Sequence, residues 1–572
     1  MAHDIFMSLS KKYIYLITVT VALLFIGNCI PTSVNGKQDV SPILTLSSNE
    51  TINDYLELLL IYRDSNYYYL QSEIKHLYEL NKYQPIWFDD DILNRTAQMF
   101  LDTISQSHSY GLHPDFYPTL KIKSNLLDLQ KLKSKSLRLH KIAETELLIT
   151  ASAIEFFTHL QFGIVRGKII WNSENEGYLR NKVMAAFYQL ADNQPINKIL
   201  TDIQPKSLYY KKLSGALKRF VLPEEWPEAE TVLRLNEKSQ KDVLTIMKLT
   251  GFFNGNIDYS DSQYKLILNS YQNYYNLPER NFMGPITRDH IINDIFNQYK
   301  IMSVNIERLR QNPPLVNNYL WVNIPSYNMS VFENNKRVKD IRVIVGAAKT
   351  PTPVLSGCLT HILTYPQWNI PPSIVSKEII PAIKRDSLYL QRKGYYITDW
   401  SGEVLDQQTT NIDSYTHSYF PFNIAQDPGP SNALGTLKFI FDNDYNIYLH
   451  DTNARYLFNR KDRAMSHGCI RVENPDELAK YLLSDQESAR LNYQMRNKKT
   501  GYLFIEKHVS VYIRYITCEA SNNGSVTYYN DIYNLDHKDW IQMIKSLYFN
   551  AELSSSLQMM TDGTNTGKNH SL

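Results

Sequence analysis

Cysteine is nearly absent from this chain: four in 572 residues, at Cys29, Cys358, Cys469 and Cys518. So few thiols exclude a disulfide-stapled scaffold. Their wide spacing, with no close second Cys or His pair, also argues against a structural zinc site. An excess of charge of one sign is missing too. Sixty Lys and Arg face 58 Asp and Glu, and a net charge of +2 offers no bulk field for nucleic acid. With 43% hydrophobic and 21% charged residues, the composition excludes a mainly disordered chain. The 41 tyrosines accompany abundant Asn, Lys and Ile, a compositional drift rather than an aromatic ligand site. A length of 572 exceeds what one core serves, so two to four domains are expected.

The N-terminus carries an export signal. Lys11 and Lys12 precede an apolar run from Tyr13 to Ile30, broken only by Thr18, Thr20, Gly27 and Asn28. Such a run lies at the border between a signal-peptide core and a membrane span. No small-x-small cleavage pattern follows, which favours an uncleaved inner-membrane anchor over residues 13–30. A cleaved signal is one alternative. A lipoprotein at Cys29 is another, opposed by the bulky Asn28 before it. Each places residues beyond about 40 outside the cytoplasm, in the periplasm. In that oxidising compartment a free thiol is a liability without a function, and three cysteines beyond the anchor leave at least one unpaired. Whether Cys358 and Cys518 pair stays open.

Residues 31–48 read as a polar linker. Helical periodicity then runs over 49–237, in Tyr55, Leu56 and Leu58–Leu60, in Leu70, Ile74, Leu77 and Leu80, and over Glu144–Leu160. The carboxylates here read as solvated helix faces, and the region as a helical scaffold. Residues 238–298 form a compact three-helix unit, its last helix opened by Thr287 as N-cap. From 318 to 518 the period changes to two, in Tyr319–Pro325, Ile341–Gly346, Thr360–Leu363, Leu437–Phe441, Ile447–His450 and Val509–Ile516. A helical, loop-like insertion over about 368–430 interrupts this mostly β unit in the manner of a lid. Residues 519–552 read as a C-terminal extension packed on it, and 553–572 as a disordered tail. The fold class expected is multidomain α+β: anchor or signal, helical scaffold, three-helix unit, and a mostly β catalytic domain with a capping insertion.

Chemistry concentrates in His450-Asp451-Thr452 and in Ser466-His467-Gly468-Cys469-Ile470-Arg471-Val472. Thiol chemistry needs a thiolate, and an adjacent imidazole is the usual acceptor of its proton. Both His450, at a strand end, and His467, two residues from the thiol, are candidates. Arg455, Arg460, Lys461, Arg463 and Arg471 make the neighbourhood electropositive, which lowers a thiol pKa and draws carboxylate-bearing substrates. Cys with His in an exported enzyme suggests acyl transfer or peptide hydrolysis.

A His, a spacer and then Ser-His-Gly-Cys resembles the signature of L,D-transpeptidases with a YkuD-type catalytic domain. Here 15 residues separate His450 from Ser466. Val322–Pro325, Val345-Gly346, Thr350–Pro353, Trp368–Pro372, Pro428–Pro430, Leu434-Gly435 and Asp531–Tyr533 resemble landmarks of the large Gram-negative YcbB-type members, over roughly residues 50–545. The 238–298 unit is similar to a peptidoglycan-binding domain through Leu249, Gly251, Tyr271-Gln272, Leu277 and Gly284–Thr287, with Tyr271 where that family has Phe.

The resemblance implies Cys469 as nucleophile and His450 as general base. It turns His467, Ser466, Gly468 and Asp451 into residues that shape the site, with N–H groups near Gly468 and Cys469 as the oxyanion hole. Arg471 and Trp368 become candidates for substrate binding. It further implies a thioester formed from a tetrapeptide stem, a diaminopimelate acceptor, a 3→3 crosslink in peptidoglycan, and acylation by carbapenems. No metal and no cofactor are called for. The partners implied are stem peptides, the membrane through the N-terminus, and cell-wall synthases or carboxypeptidases. A related cysteine L,D-carboxypeptidase or hydrolase, and a non-catalytic wall-binding scaffold, are the alternatives.

Overall fold

The computed structural model describes residues 51–56, 70–165, 177–220, 244, 247, 260–312, 316–406, 410 and 420–543. The export segment at 13–30, the linker at 31–48, the tail at 553–572 and most of 221–259 lie outside the described residues. Among the described residues no helix is long and apolar enough to cross a membrane. The described protein is multidomain, with a helical N-terminal region and a β-rich C-terminal one.

Helix α1 (Lys135–Phe162) is the axis of the helical region. Every residue from Ile142 to Leu160 is buried, because Gln71–Leu80, Arg95–Ser105, Thr119–Leu129, Gly177–Ala191 and Ile196–Ile203 pack round it. A helix enclosed on all sides has no solvated face. The expectation of solvated carboxylates is therefore corrected here: Glu144, Glu146 and Glu155 are buried. Glu146 accepts from the Trp87 N–H at 3.1 Å and the Tyr78 hydroxyl at 2.9 Å, and burial pushes its carboxyl up to about 7.

Helix α2 (Leu208–Phe220) follows, then α3 (Asp261–Tyr274) and α4 (Pro285–Arg310). Leu244, Met247, Tyr264, Leu268, Tyr271, Leu277 and Ile291 form one small core. Gln272 ties it together, donating to Phe282 O at 2.8 Å and Thr287 Oγ1 at 3.0 Å. Thr287 is not the N-cap. Gly284 holds that position, Pro285 opens the helix, and Glu279 accepts from Ile286 N–H and Thr287 N–H at 3.1 and 2.7 Å. Nor does the unit end at 298. Helix α4 runs on to Arg310 because Tyr299, Met302, Ile306 and Leu309 continue an apolar stripe buried against the β domain. Near its end Glu307 accepts from Ile164 N–H at 2.7 Å, fixing the end of α1 to the same rod.

The β domain comprises β1 (Tyr319–Asn323), β2 (Asn328–Glu333), β3 (Lys336–Gly346) and β4 (Leu355–Thr364). After the insertion come β9 (Leu437–Phe441), β10 (Leu449–His450), β11 (Ala464–Ser466), β12 (Ile470–Val472), β13 (Gly501–Phe504) and β14 (Ser510–Arg514). The order β9-β10-β12-β3-β2-β1-β14-β4 closes on itself, since β4 pairs with both β14 and β9. Three pairings are parallel, β10 with β12, β14 with β1, and β11 with β3. Inward residues such as Leu320, Val343, Phe439, Leu449, Ile470 and Val511 fill the barrel. Outward Tyr319, Trp321, Phe332 and Tyr512 are buried under α2 and α4. On the opposite arc the outward positions include Lys438, His450 and Arg471, and the site lies there.

The insertion between β4 and β9 is a cap with its own core, including Ile370, Val375, Ile379, Ile383, Leu390 and Ile424. It is not only helix and loop. Four short strands, β5 (Trp368–Asn369), β6 (Tyr395–Thr398), β7 (Val404–Leu405) and β8 (Asn423–Gln426), form an antiparallel sheet in the order β5-β8-β6-β7. A π-turn at Val375–Ile379 precedes the helix Ile380–Arg385, where Pro381 has no N–H to give a regular ladder. Cys358, Cys469 and Cys518 are all free, so Cys358 and Cys518 do not pair.

Candidate active site

Three strands set the site. Lys438 on β9 is paired with His450 on β10, and His450 with Arg471 on β12. Their neighbours Leu437, Phe439, Leu449, Ile470 and Val472 enter the core, so alternation turns the three polar side chains outward as one row. The parallel register also sets Cys469, just before β12, beside Tyr448, just before β10; the Ile470 N–H donates to Tyr448 O at 3.1 Å. Cys469 and His450 are thus diagonal neighbours on one face.

Cys469 is half-buried. Burial pushes its thiol up, opposed by the Tyr448 N–H and hydroxyl, then by Lys438 and Arg471. The Lys438 ammonium lies 3.8 Å from the centre of the Tyr448 ring. His450 is depressed to about 3, first by burial and then by Arg471, with Lys438 adding to it. Backbone groups of Asp451 and Leu434 oppose this. The resting pair is therefore a neutral thiol and a neutral imidazole, not the ion pair expected for such dyads, because burial disfavours the charged form of both.

The loop before the nucleophile is held by its own polar atoms. Ser466 Oγ donates to Cys469 O at 2.5 Å and accepts from the Gly468 N–H at 3.1 Å. This engages the Gly468 N–H, so it is not free for an oxyanion. The Cys469 N–H has no partner among the described residues, and the Tyr448 N–H faces the sulfur. Gly468 has φ +114°, and a Cβ there would meet nothing closer than 3.5 Å, so conformation rather than space requires glycine. Beneath, Thr352 Oγ1 donates to Gly468 O at 2.7 Å and accepts from the Gly346 N–H at 2.8 Å. From the C-terminal extension, the Tyr533 hydroxyl donates to Gly346 O at 2.6 Å and accepts from the Thr352 N–H at 3.1 Å.

The remaining expected residues spread outward. His467 is exposed, with Nε2 2.5 Å from Glu378 Oε1 in the cap's π-turn. Asp451 is buried below the row, accepting from the Thr436 N–H at 2.9 Å and pairing with Arg455 at 2.7 Å. Trp368 lies in the cap, 5.9 Å ring to ring from Tyr395 and packed on the cap core. Arg471 has its Nε buried with no partner. Of the cations expected to set the field, Arg455 and Arg463 are engaged elsewhere: Arg455 with Asp451, Arg463 with Val343 O and Tyr327 O. Lys438, Tyr448 and Glu378 were not singled out in the sequence, and Thr352 and Tyr533 stood there only inside the landmark segments Thr350–Pro353 and Asp531–Tyr533. Period two alone finds the first two, since Lys438 alternates with Leu437 and Phe439, and Tyr448 lies two residues from His450.

A thiol and an imidazole thus share one barrel face below a cap. Residues 317–500 match the YkuD L,D-transpeptidase catalytic domain, and residues 72–217 match a scaffold domain. A Haemophilus influenzae protein named "Putative L,D-transpeptidase" is 36% identical over 239 residues, 41% of this chain and 48% of that protein. The chain spans about half the length of that relative. The chain therefore carries a YkuD-type L,D-transpeptidase catalytic domain toward its C-terminus, with a scaffold domain ahead of it.

Proposed function

We propose that the protein forms 3→3 crosslinks in peptidoglycan outside the cytoplasm, tethered or exported through residues 13–30. Cys469 attacks the diaminopimelate carbonyl at the third position of a tetrapeptide stem. His450 takes the thiol proton as the C–S bond forms, then gives it to the departing D-alanine amine. The side-chain amine of a second stem's diaminopimelate attacks the thioester, losing a proton to His450, and the thiol is restored. The N–H groups of Cys469 and Tyr448 receive the oxyanion. Arg471 offers its guanidinium to a stem carboxylate.

One observation carries this reading: the parallel register that sets Cys469 beside Tyr448 and diagonal to His450. His450 is neutral at working pH and so carries a lone pair for the thiol proton. The test is incubation of purified protein with tetrapeptide muropeptides. Crosslinked dimers are expected, and a Cys469→Ala variant should form none. Tripeptide monomers alone would assign a hydrolase, and unchanged substrate a binding scaffold. Intact mass after carbapenem treatment should show one adduct, lost in Cys469→Ala.

A further inference from the structure

The outward row through Arg471, His450 and Lys438 does not stop at β9. Lys438 is paired with Leu363 on β4, and Leu363 with Tyr502 on β13. One step along, Ile440 is paired with His361, and His361 with Phe504. Residues directly opposite each other share a face of the sheet, so Tyr502 and Phe504 stand on the face that carries the thiol. Leu503, between them, enters the barrel core, which fixes that orientation. Both rings are bare, at 62% and 68% exposed. His361 lies between them, its ring 4.3 Å from Phe504 and 6.0 Å from Tyr502. An edge strand that shows two large rings to water, backed by a third, has a surface that apolar burial does not explain.

We propose that Tyr502, Phe504 and His361 form a saccharide-stacking ledge for the sugar that bears the donor stem; this rests on the transpeptidase reading above. Sugar rings offer C–H faces that pack on aromatic faces while their hydroxyls stay hydrated, so partly wet rings suit them. The span also fits. Four strand spacings separate Cys469 from Phe504, about 19 Å round the barrel and less across the chord. From the third-residue carbonyl back to its sugar a stem runs three residues, one of them γ-linked, and a lactyl ether, on the order of 15 Å extended. A stem lying across Lys438 and Leu363 with its carbonyl at Cys469 therefore brings its sugar to the ledge.

The test compares two donors, a disaccharide-tetrapeptide and the free tetrapeptide, on the full chain and on a Tyr502→Ala/Phe504→Ala variant. Both rings are exposed, so the variant should melt with the parent. Its kcat/KM for the disaccharide donor should fall about 10-fold, mostly through KM, with the free tetrapeptide unaffected. An equal loss on both donors, or none, overturns the ledge. If the parent turns over neither donor, the transpeptidase reading fails separately. The ledge is then decided by saturation-transfer NMR with the disaccharide alone: signals seen with the parent and lost in the variant uphold it. Signals equal in both proteins, or absent from both, overturn it.

Discussion

Glu378 reaches from the cap to His467, two residues before the nucleophile, with 2.5 Å between Oε1 and Nε2. Both side chains are roughly half exposed, so the contact adds little to folding stability and is screened by salt. Its effect falls on where the cap rests over Cys469. Glu378→Gln should leave the melting temperature unchanged and raise KM for a stem peptide by about 3- to 10-fold at low salt. Raising NaCl should bring the parent toward the variant. A KM in the parent that ignores salt would sink the idea.

Lys438 and Arg471 both favour the thiolate and disfavour the imidazolium. Removing the ammonium in Lys438→Met should push the Cys469 thiol further up. Alkylation by iodoacetamide, followed against pH, should then reach its midpoint at higher pH, with a rate at pH 7 about 10-fold below the parent. A midpoint moved downward would show that Lys438 does not act on the sulfur.

His450 is held near 3 in the fold against about 6.5 in an unfolded chain. Between these values the unfolded chain binds the extra proton, so stability falls as pH drops from about 6.5 toward 3 and is flat above. Over pH 6.5 to 4.5 this amounts to up to about 2–3 kcal/mol. His450→Gln should lose less stability over that interval than the parent. Urea unfolding at the two pH values checks it; equal slopes would refute the assignment.

The Tyr533 hydroxyl bridges Gly346 O and Thr352 N–H. Tyr533→Phe leaves both partners without it, at a cost of about 1–3 kcal/mol. The melting temperature should drop, and turnover should fall because Thr352 also holds Gly468 O. Thermal denaturation and steady-state rates measure the two effects. A variant as stable and active as the parent would show that the bridge is idle.

Much of the candidate site was legible because two short motifs encode it. His450 ends β10 and Cys469 directly precedes the parallel neighbour β12, and period two applied to Leu437–Phe441 points Lys438 at them. Burial of Glu146 was not legible: Ile86, Trp87 and Tyr78, its partners, lie about 60 or more residues away in sequence. The run of α4 past 298 was visible in Tyr299, Met302, Ile306 and Leu309, yet a compact unit seemed complete without it. The cap sheet escaped because strands of two to four residues carry no measurable period. Nothing local marks Glu378, whose importance arises only where the cap meets the loop.

Helix α4 begins in the small unit, through Ile291, and ends against the barrel, through Ile306 and Leu309, with no interruption in 26 residues. At 1.5 Å per residue that is a rod of about 39 Å. A hinged module would search freely; a module on an unbroken rod works as an outrigger of fixed reach. Whatever the small unit touches is held at a set distance from the barrel, and a load on one end is felt as a tilt at the other.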